Sequence, residues 1–186
     1  MLKDNYFSFN PRDKLFNYII KFIKTKEIES ILDVGCANGY LMSIIENLAT
    51  VKMIRGIDSD KKFVDGKRIL DGNITKIPFK DNVFDLVIAK DVIEHTSDNI
   101  RAIEEMIRVS KKYIFLSAPA PFTDCAWGDY QHKRPYTKTT LKHIAKDFKL
   151  NPIEIGSTKR RWPFRIIAKL WMQPIDDIAV YGFFEK

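Results

Sequence analysis

The sequence predicts an α/β fold in which a doubly wound, mostly parallel sheet carries helices on both faces. Short apolar runs alternate with stretches of helical spacing along the 186 residues, which is the pattern of such a sheet. The run over 83–89 is apolar on both faces, which is typical of a central parallel strand. Another apolar run ends at Val34 and leads through a glycine-bearing turn directly into a helix. The length suits one compact domain, so we expect 1–186 to fold as a single unit.

Each element is predicted from its local pattern. Apolar residues at helical spacing indicate helices over 11–26, 38–48, 99–109 and 137–149. Pro11 suits the start of the first helix, and the side chains of Asp98 and Thr137 can cap the last two. Strands are indicated by short apolar runs over 30–34, 52–57, 67–70, 83–89, 112–117, 152–157 and 178–184. A loop over 118–136, rich in proline and aromatic residues, follows the fifth strand.

Composition limits the classes of partner and the cellular location. The net charge of +7 favours anionic partners such as nucleic acid, lipid head groups or phosphorylated small molecules, although solvated lysines alone explain it equally well. No run approaches the roughly 20 apolar residues of a membrane span. The two cysteines, Cys36 and Cys125, are far apart and form no Cys-x-x-Cys motif, so we expect neither a disulfide nor a metal site. A reducing cytoplasm is the simplest location.

The turn after the first strand favours one class of cofactor over another. Gly35 allows a positive φ angle and a close ligand approach, and the amides of the following helix offer hydrogen-bond donors. A dinucleotide-binding turn requires glycine where this chain has Ala37 and Tyr40. Asp33 at the strand end would repel a pyrophosphate and attract a cation, which favours the sulfonium and ammonium groups of S-adenosylmethionine. A turn without any ligand is the alternative.

Three later features point to the same crevice. Asp58 ends the second strand, where a carboxylate can accept hydrogen bonds from both hydroxyl groups of a ribose. Asn73 can both accept from and donate to an adenine edge, although it is equally well explained as an ordinary turn residue. The segment 84–95 brings a strand end to the edge of the sheet at which such ligands bind.

In these motifs the chain resembles the Rossmann-like, class I S-adenosylmethionine-dependent methyltransferases, in particular the small type 11 group. The resemblance covers about residues 28–118 and is carried by ILDVGCANG, IRGID, GNITKIPF and FDLVIAKDVIEH, in that order. It implies a seven-stranded sheet whose last strand is antiparallel. The chain departs from the group at two places. The stretch between Asp58 and Gly72 is short, which predicts a truncated helix there, and Ser110-Lys111-Lys112 stands where the group has a glycine pair.

The resemblance also implies which parts of the chain bind the cofactor and which bind the acceptor. An N-terminal helix would occupy 1–27, a cofactor-binding half 28–118 and an acceptor-side half 119–186. The predicted S-adenosylmethionine site comprises Asp33, Gly35, Cys36, Ala37, Gly39, Asp58, Ser59, Asn73, Ile74, Ala89 and Lys90. Among these, Asp58 would hold the ribose, Asn73 and Ile74 would meet the adenine, and Ala89 and Lys90 would border the methionine end.

The acceptor is less well specified than the cofactor. The fourth strand is not followed by the Asn/Asp-Pro-Pro-Tyr motif that marks transfer to base or glutamine amines in the resembled family, so nucleic acid is not favoured. We expect a small molecule, a glycan or a lipid-linked acceptor. An RNA or protein methyltransferase is one alternative, and a non-catalytic binding module of the same fold is another. The oligomeric state is left open.

Candidate groups on the acceptor side come from two segments. His132, in the loop after the fifth strand, and His95, after the fourth, are suited to acid–base chemistry near neutral pH, and structural roles are equally consistent with both. Aromatic and basic side chains predicted to meet the acceptor are Trp127, Tyr130, Arg134 and Trp162. The basic aromatic segment 160–172 suits a substrate pocket, a dimer contact or a peripheral membrane contact, or else a helix docked on its own sheet.

Overall fold

A computed structural model describes residues 14–49, 51–121, 126, 128–159 and 177–186. The helices and strands follow in the order α1 (Lys14–Thr25), β1 (Ser30–Val34), α2 (Tyr40–Leu48), β2 (Met53–Asp58), β3 (Ile69–Asp71), β4 (Phe84–Lys90), α3 (Asn99–Val109), β5 (Ser110–Pro119), α4 (Lys138–Asp147), β6 (Asn151–Lys159) and β7 (Asp177–Glu185). Single 3-10 turns occupy Lys61–Phe63 and Ile93–His95. Within the described residues, no helix is both long and apolar enough to cross a membrane.

The strands form one seven-stranded sheet in the order β3-β2-β1-β4-β5-β7-β6. Strands β1 to β5 pair in parallel, whereas β7 is antiparallel to both of its neighbours, β5 and β6. The predicted fold class and the antiparallel last strand are therefore confirmed. The strand order reverses between β1 and β4, and a crevice opens at the carboxyl ends of the strands at such a switch point.

Alternation of side chains along the strands divides the core into two layers. In β1, Leu32 and Val34 pack into the layer that α3 and α4 cover, whereas Ile31 packs into the layer that α1 and α2 cover. Asp33 has the same parity as Ile31 and lies at the carboxyl end of the strand. A polar side chain is thereby directed into an apolar layer at the mouth of the crevice.

Most predicted elements are present, with bounds that local hydrogen bonds explain. Asp98 accepts from the amide of Arg101, and Thr137 caps α4 through a reciprocal pair with Thr140. The truncated helix after Asp58 is reduced to one 3-10 turn. Differences are small: the third strand begins at Ile69 instead of residue 67, because the Asp65 carboxylate accepts from three successive amides and fixes a turn over 65–68.

Glu105 of α3 is a buried carboxylate that depends on Arg108. It is 3% exposed, and both of its oxygens accept from the Arg108 guanidinium at 2.8 Å. Arg101 also donates to one of these oxygens at 3.0 Å, but half of its side chain is exposed to solvent. The Arg108 pair holds the pKa of Glu105 below its ordinary value. The carboxylate is therefore ionised, and it depends on its partner to offset the cost of burial.

We expect Arg108→Ala to lower the free energy of unfolding by about 2–3 kcal/mol, because it leaves a buried charge with its best donor removed. Arg101→Ala is the matched control and should cost no more than about 1 kcal/mol, as is usual for an exposed ion pair. Urea denaturation followed by circular dichroism measures both. Equal losses in the two variants would show that Arg108 is no more important than an ordinary surface partner.

Candidate functional site

The loop between β1 and α2 is held in a conformation that few residues adopt. Gly35, Ala37 and Gly39 all have positive φ angles, of 67°, 47° and 73°. A Cβ atom at Gly35 would lie 2.6 Å from the nearest methyl group of Val92, so no larger residue fits without displacing the Val92 side chain. The amide of Gly35 donates to the carbonyl of Ile57 in β2 at 2.8 Å. The loop is therefore fixed against the end of the neighbouring strand.

Asp58 at the end of β2 supports this loop directly. One carboxylate oxygen accepts from the amide of Ala37 at 2.8 Å, and the other accepts from the amide of Asp60 at 2.8 Å. Each oxygen keeps a further lone pair that can accept from a ligand hydroxyl group. Asp58 therefore fits the predicted ribose-binding role, and it also has a structural role that the sequence did not indicate.

Asp33 is buried beneath this loop without a hydrogen-bond partner among the described residues. Its side chain is 3% exposed. Burial raises its pKa to about 7, with a smaller opposing effect from the positive charge of Lys90. A buried carboxylate without a donor is costly, and a nearby cation offsets that cost. The site thus fits a ligand that carries positive charge at this point, as S-adenosylmethionine does.

The residues expected around adenine lie on the far side of Asp58. Asn73 is exposed, and its side-chain oxygen accepts from both the amide and the hydroxyl group of Thr75. The oxygen is therefore used within its own turn, which leaves the side-chain N–H groups as donors for a ligand. Ile74 is buried in the core behind this turn, and Ser59 is exposed beside Asp58.

The remaining cofactor candidates border the loop and the end of β4. Cys36 is a buried free thiol whose pKa burial raises to about 12, so it is inert as a nucleophile. Cys125 lies outside the described residues. Ala89 is fully buried between β1 and β5. Lys90 forms an ion pair of 2.6 Å with Asp91, and its ammonium lies 5.4 Å from the centre of the Phe16 ring.

The two candidate histidines come from distant parts of the chain and lie against each other. His95 ends the 3-10 turn after β4, and His132 lies in the loop after β5. The amide of Lys133 donates to the carbonyl of Glu94 at 2.7 Å, which ties the second segment to the first. The two imidazole rings meet edge to face, with centroids 4.6 Å apart. The structure therefore places both rings at the carboxyl end of the sheet, beside β4.

His132 is further fixed by the loop in which it lies. Its Nδ1 atom is 3.1 Å from the carbonyl oxygen of Ala126, and its Nε2 atom is 3.8 Å from a carboxylate oxygen of Asp129. A carbonyl oxygen only accepts, so Nδ1 carries the hydrogen and Nε2 has the free lone pair in the neutral ring. Partial burial and the neighbouring His132 lower the pKa of His95.

Glu94 joins this pair and was missed as a functional candidate in the sequence. It is 2% exposed, and neither of its carboxylate oxygens has a hydrogen-bond partner among the described residues. Burial, with the charges of Asp91 and Asp129, raises its pKa to about 8. A carboxylate oxygen of Glu94 and one ring nitrogen each of His95 and His132 lie within 4.8 Å of one another. The available signal in the sequence was an acid next to the apolar pair Val92-Ile93 that follows β4.

A buried polar contact lies behind Glu94. The side-chain amide of Asn99 donates to the hydroxyl group of Tyr136 and to the carbonyl of Ile93. Tyr136 is 1% exposed, and burial raises its pKa well above the ordinary value. This contact links α3 to the end of the loop after β5, and it holds that loop against the 3-10 turn.

The predicted acceptor-binding residues divide into two groups. Tyr130 is 89% exposed and Arg134 is exposed, so the structure places both on the surface of the loop and not in an enclosed pocket. Trp127, Trp162 and the segment 160–172 lie outside the described residues. Among the described residues, the cluster at the carboxyl end of β4 consists of Glu94, His95 and His132.

Comparisons with known proteins identify similar sequences and a similar fold. Residues 32–115 match a family described as a methyltransferase domain. An uncharacterized methyltransferase of Schizosaccharomyces pombe is 26% identical over 85% of this chain and 71% of its own length. Norajmaline N-methyltransferase of Rauvolfia serpentina is 26% identical over 78% of this chain and 54% of its own length. With other curated relatives the match spans only about two fifths of their length.

A solved structure shares the complete fold. The crystal structure of a methyltransferase from Archaeoglobus fulgidus, described as dependent on S-adenosylmethionine, superposes with a TM-score of 0.73 at 17% identity, over 92% of this chain and 94% of that one. Together with the matched family, this confirms the resemblance seen in the sequence. Residues 32–115 are thus similar to a methyltransferase domain, and the chain has the Rossmann-like class I fold.

Proposed function

We propose that this chain, as the carrier of a class I methyltransferase domain, transfers a methyl group from S-adenosylmethionine to an acceptor bound beside His95 and His132. The observation that carries the proposal is the buried carboxylate of Asp33, which has no partner among the described residues and lies beneath a glycine-bearing loop. The cofactor supplies an electrophilic methyl group on a positively charged sulfur. The protein has to bind, orient and desolvate the reacting groups.

The residues that would hold the cofactor are those predicted from the sequence. Asp33 provides negative charge for its cationic groups, and Asp58 offers lone pairs to its ribose. Asn73 offers side-chain N–H donors at the adenine end. Ala89 and Lys90 border the methionine end, where Lys90 is available to a carboxylate if its contact with Asp91 is exchanged.

His132 is the better placed of the two histidines for removing a proton from the acceptor. Its Nδ1–H group donates to the Ala126 carbonyl, so the lone pair on Nε2 is directed away from that contact. His95 lies against the same ring and lines the approach from the end of β4. His132 would accept at Nε2 the proton that the acceptor loses on methylation, with S-adenosylhomocysteine as the second product.

For the acceptor we propose a small molecule, a glycan or a lipid-linked compound, with an anionic group favoured by the net charge of +7. The relative from Rauvolfia serpentina supports a small-molecule acceptor, since it is named norajmaline N-methyltransferase. We place the activity in the cytoplasm, because the buried thiol of Cys36 is unpaired, as is usual in a reducing compartment.

Calorimetry with the purified chain tests the cofactor part of this proposal. We expect S-adenosylmethionine and S-adenosylhomocysteine to bind, and nicotinamide adenine dinucleotide to bind at least about tenfold more weakly, because its pyrophosphate would meet the carboxylate of Asp33. Formation of S-adenosylhomocysteine with candidate small molecules then tests transfer. Tighter binding of the dinucleotide would refute the proposal.

A further inference from the structure

We propose that Glu94, His95 and His132 bind one divalent transition-metal ion of the zinc type at the acceptor side of the crevice. The set offers one carboxylate oxygen and two imidazole nitrogens, all within 4.8 Å of one another. Its position next to the acceptor rests on the proposed function, whereas the binding of the ion does not. Glu94 and His95 follow β4, whereas His132 follows β5, so the fold brings two distant segments together and the site cannot be recognised from sequence spacing.

The distances suit a site that closes when the ion enters. Zinc binds imidazole nitrogen at about 2.0–2.1 Å and carboxylate oxygen at about 2.0–2.2 Å, so two ligand atoms on one tetrahedral ion lie roughly 3.3 Å apart. The three ligand atoms are at most 4.8 Å apart, so side-chain rotations that move each of these atoms by about 1 Å bring all three into contact with one ion. The backbone already fixes both segments through the hydrogen bond from Lys133 to the Glu94 carbonyl.

An independent observation indicates that Glu94 lacks a partner of this kind. Its side chain is 2% exposed, and both carboxylate oxygens are buried without a hydrogen bond from any described residue. Buried polar groups in proteins are nearly always satisfied, and an unsatisfied carboxylate is among the most costly. A bound cation would satisfy Glu94 directly.

His132 has the arrangement that is usual for a metal-binding histidine. Its Nδ1 atom is engaged with the carbonyl oxygen of Ala126 at 3.1 Å, which leaves Nε2 to bind the ion. With the ion bound, this lone pair no longer accepts a proton, so the proton-accepting role proposed for His132 applies to the metal-free chain. Histidine ligands in metal sites usually donate their other N–H group to a carbonyl or carboxylate in this way, because that contact fixes both tautomer and ring orientation. The carboxylate of Asp129, 3.8 Å from Nε2, adds negative charge next to the ion.

The surroundings favour a cation and indicate its type. Negative charge from Asp91 and Asp129 acts on Glu94, and the ammonium group of Lys90, which acts on Glu94 in the opposite sense, is already paired with Asp91. Two imidazoles with one carboxylate suit zinc and its neighbours in the first transition row, whereas magnesium and calcium prefer oxygen ligands alone. Three protein ligands leave a coordination position open for water or for an acceptor atom.

Zinc titration of the full chain, after treatment with a chelator, tests the proposal without any acceptor. We expect calorimetry to show one zinc ion per chain. Glu94→Gln, His95→Ala and His132→Ala should each weaken zinc binding by roughly tenfold or more, because each removes one of three ligands. His143→Ala is the control, since His143 is exposed on α4 outside the cluster, and it should bind zinc like the unaltered chain.

Binding of S-adenosylmethionine, measured on the same samples, separates the two proposals. Unchanged affinity for S-adenosylmethionine in the three cluster variants would show that they are folded and that only the metal site is lost. If the unaltered chain binds S-adenosylmethionine but no zinc, or if all three variants still bind zinc normally, the metal site is refuted while the proposed function stands. If the chain binds zinc through the cluster but binds no S-adenosylmethionine, the proposed function is refuted while the metal site stands.

Discussion

Asp33→Asn is expected to weaken binding of S-adenosylmethionine by roughly 100- to 1,000-fold, which corresponds to about 2.7–4 kcal/mol. The variant removes the negative charge that lies buried beneath the cofactor loop, and an asparagine of the same shape cannot replace its attraction for a cation. Calorimetry of the purified variant measures the change. Circular dichroism on the same sample shows whether the fold is retained.

The same carboxylate makes binding depend on pH. Because burial raises the pKa of Asp33 to about 7, the apoprotein holds a proton there in mild acid, and this proton must leave before a cation can pair with the carboxylate. The affinity for S-adenosylmethionine should therefore rise from about pH 5.5 to pH 7. In the apoprotein the raised pKa means that folding stabilises the protonated form of Asp33. The resulting contribution to the free energy of unfolding is complete below the ordinary pKa of 3.8, and it is lost as the pH rises towards 7.

Asp85→Asn provides the matched control for Asp33→Asn. Asp85 lies near the amino end of β4, where its carboxylate accepts from Ser30 and Lys111, so it is remote from the crevice. Its replacement should leave both the affinity for S-adenosylmethionine and the pH dependence unchanged. If Asp33→Asn binds as tightly as the unaltered chain, or if it keeps the rise below pH 7, the charge of Asp33 is not what the cofactor recognises.

His132→Ala is expected to lower turnover by roughly 10²–10⁴ with an acceptor that must lose a proton, while the affinity for S-adenosylmethionine stays within about twofold. The reason is that the free lone pair of His132 lies beside His95 at the acceptor side and not among the cofactor residues. Single-turnover measurements with saturating cofactor separate this effect from cofactor binding.

A comparison of two acceptors distinguishes proton transfer by His132 from a role in positioning. An acceptor that is already ionised needs no base, so its turnover should fall far less in His132→Ala than that of an acceptor with a protonated nucleophile. His143→Ala, on the exposed side of α4, serves as the control and should retain normal turnover with both. Equal losses with the two acceptors would assign His132 a role in positioning and not in proton transfer.

The fold was predictable where structure is specified by residues that are close in sequence. The caps at Asp98 and Thr137, the buried strand that ends at Val34 and the shortened connection after Asp58 each depend on a few neighbouring side chains. The start of β3 was less predictable, because the Asp65 carboxylate competes with the strand for the amides that precede it. Such competition between side chain and backbone leaves no clear periodic pattern.

The site was predictable in its parts but not in their contacts. Asp33 and Gly35 can be recognised in the sequence by charge and conformation. The hydrogen bond from the Ala37 amide to Asp58 joins the loop after β1 to the end of β2, and it has no local signal in the sequence. The approach of His132 to Glu94 and His95 depends on how the long loop after β5 returns to β4. Side chains brought together by tertiary structure in this way cannot be found from spacing alone.

The position of β7 has a consequence for the order in which the chain can fold during synthesis. This strand follows the other six strands of the sheet in sequence, yet it lies between β5 and β6 and gives each of them its partner at that place in the sheet. Until Asp177–Glu185 leave the ribosome, β5 presents an unpaired edge and β6 has no strand to join. Between the synthesis of β5 and that of β7, the nascent chain therefore carries an open, apolar edge, which is the kind of surface that favours aggregation or chaperone binding.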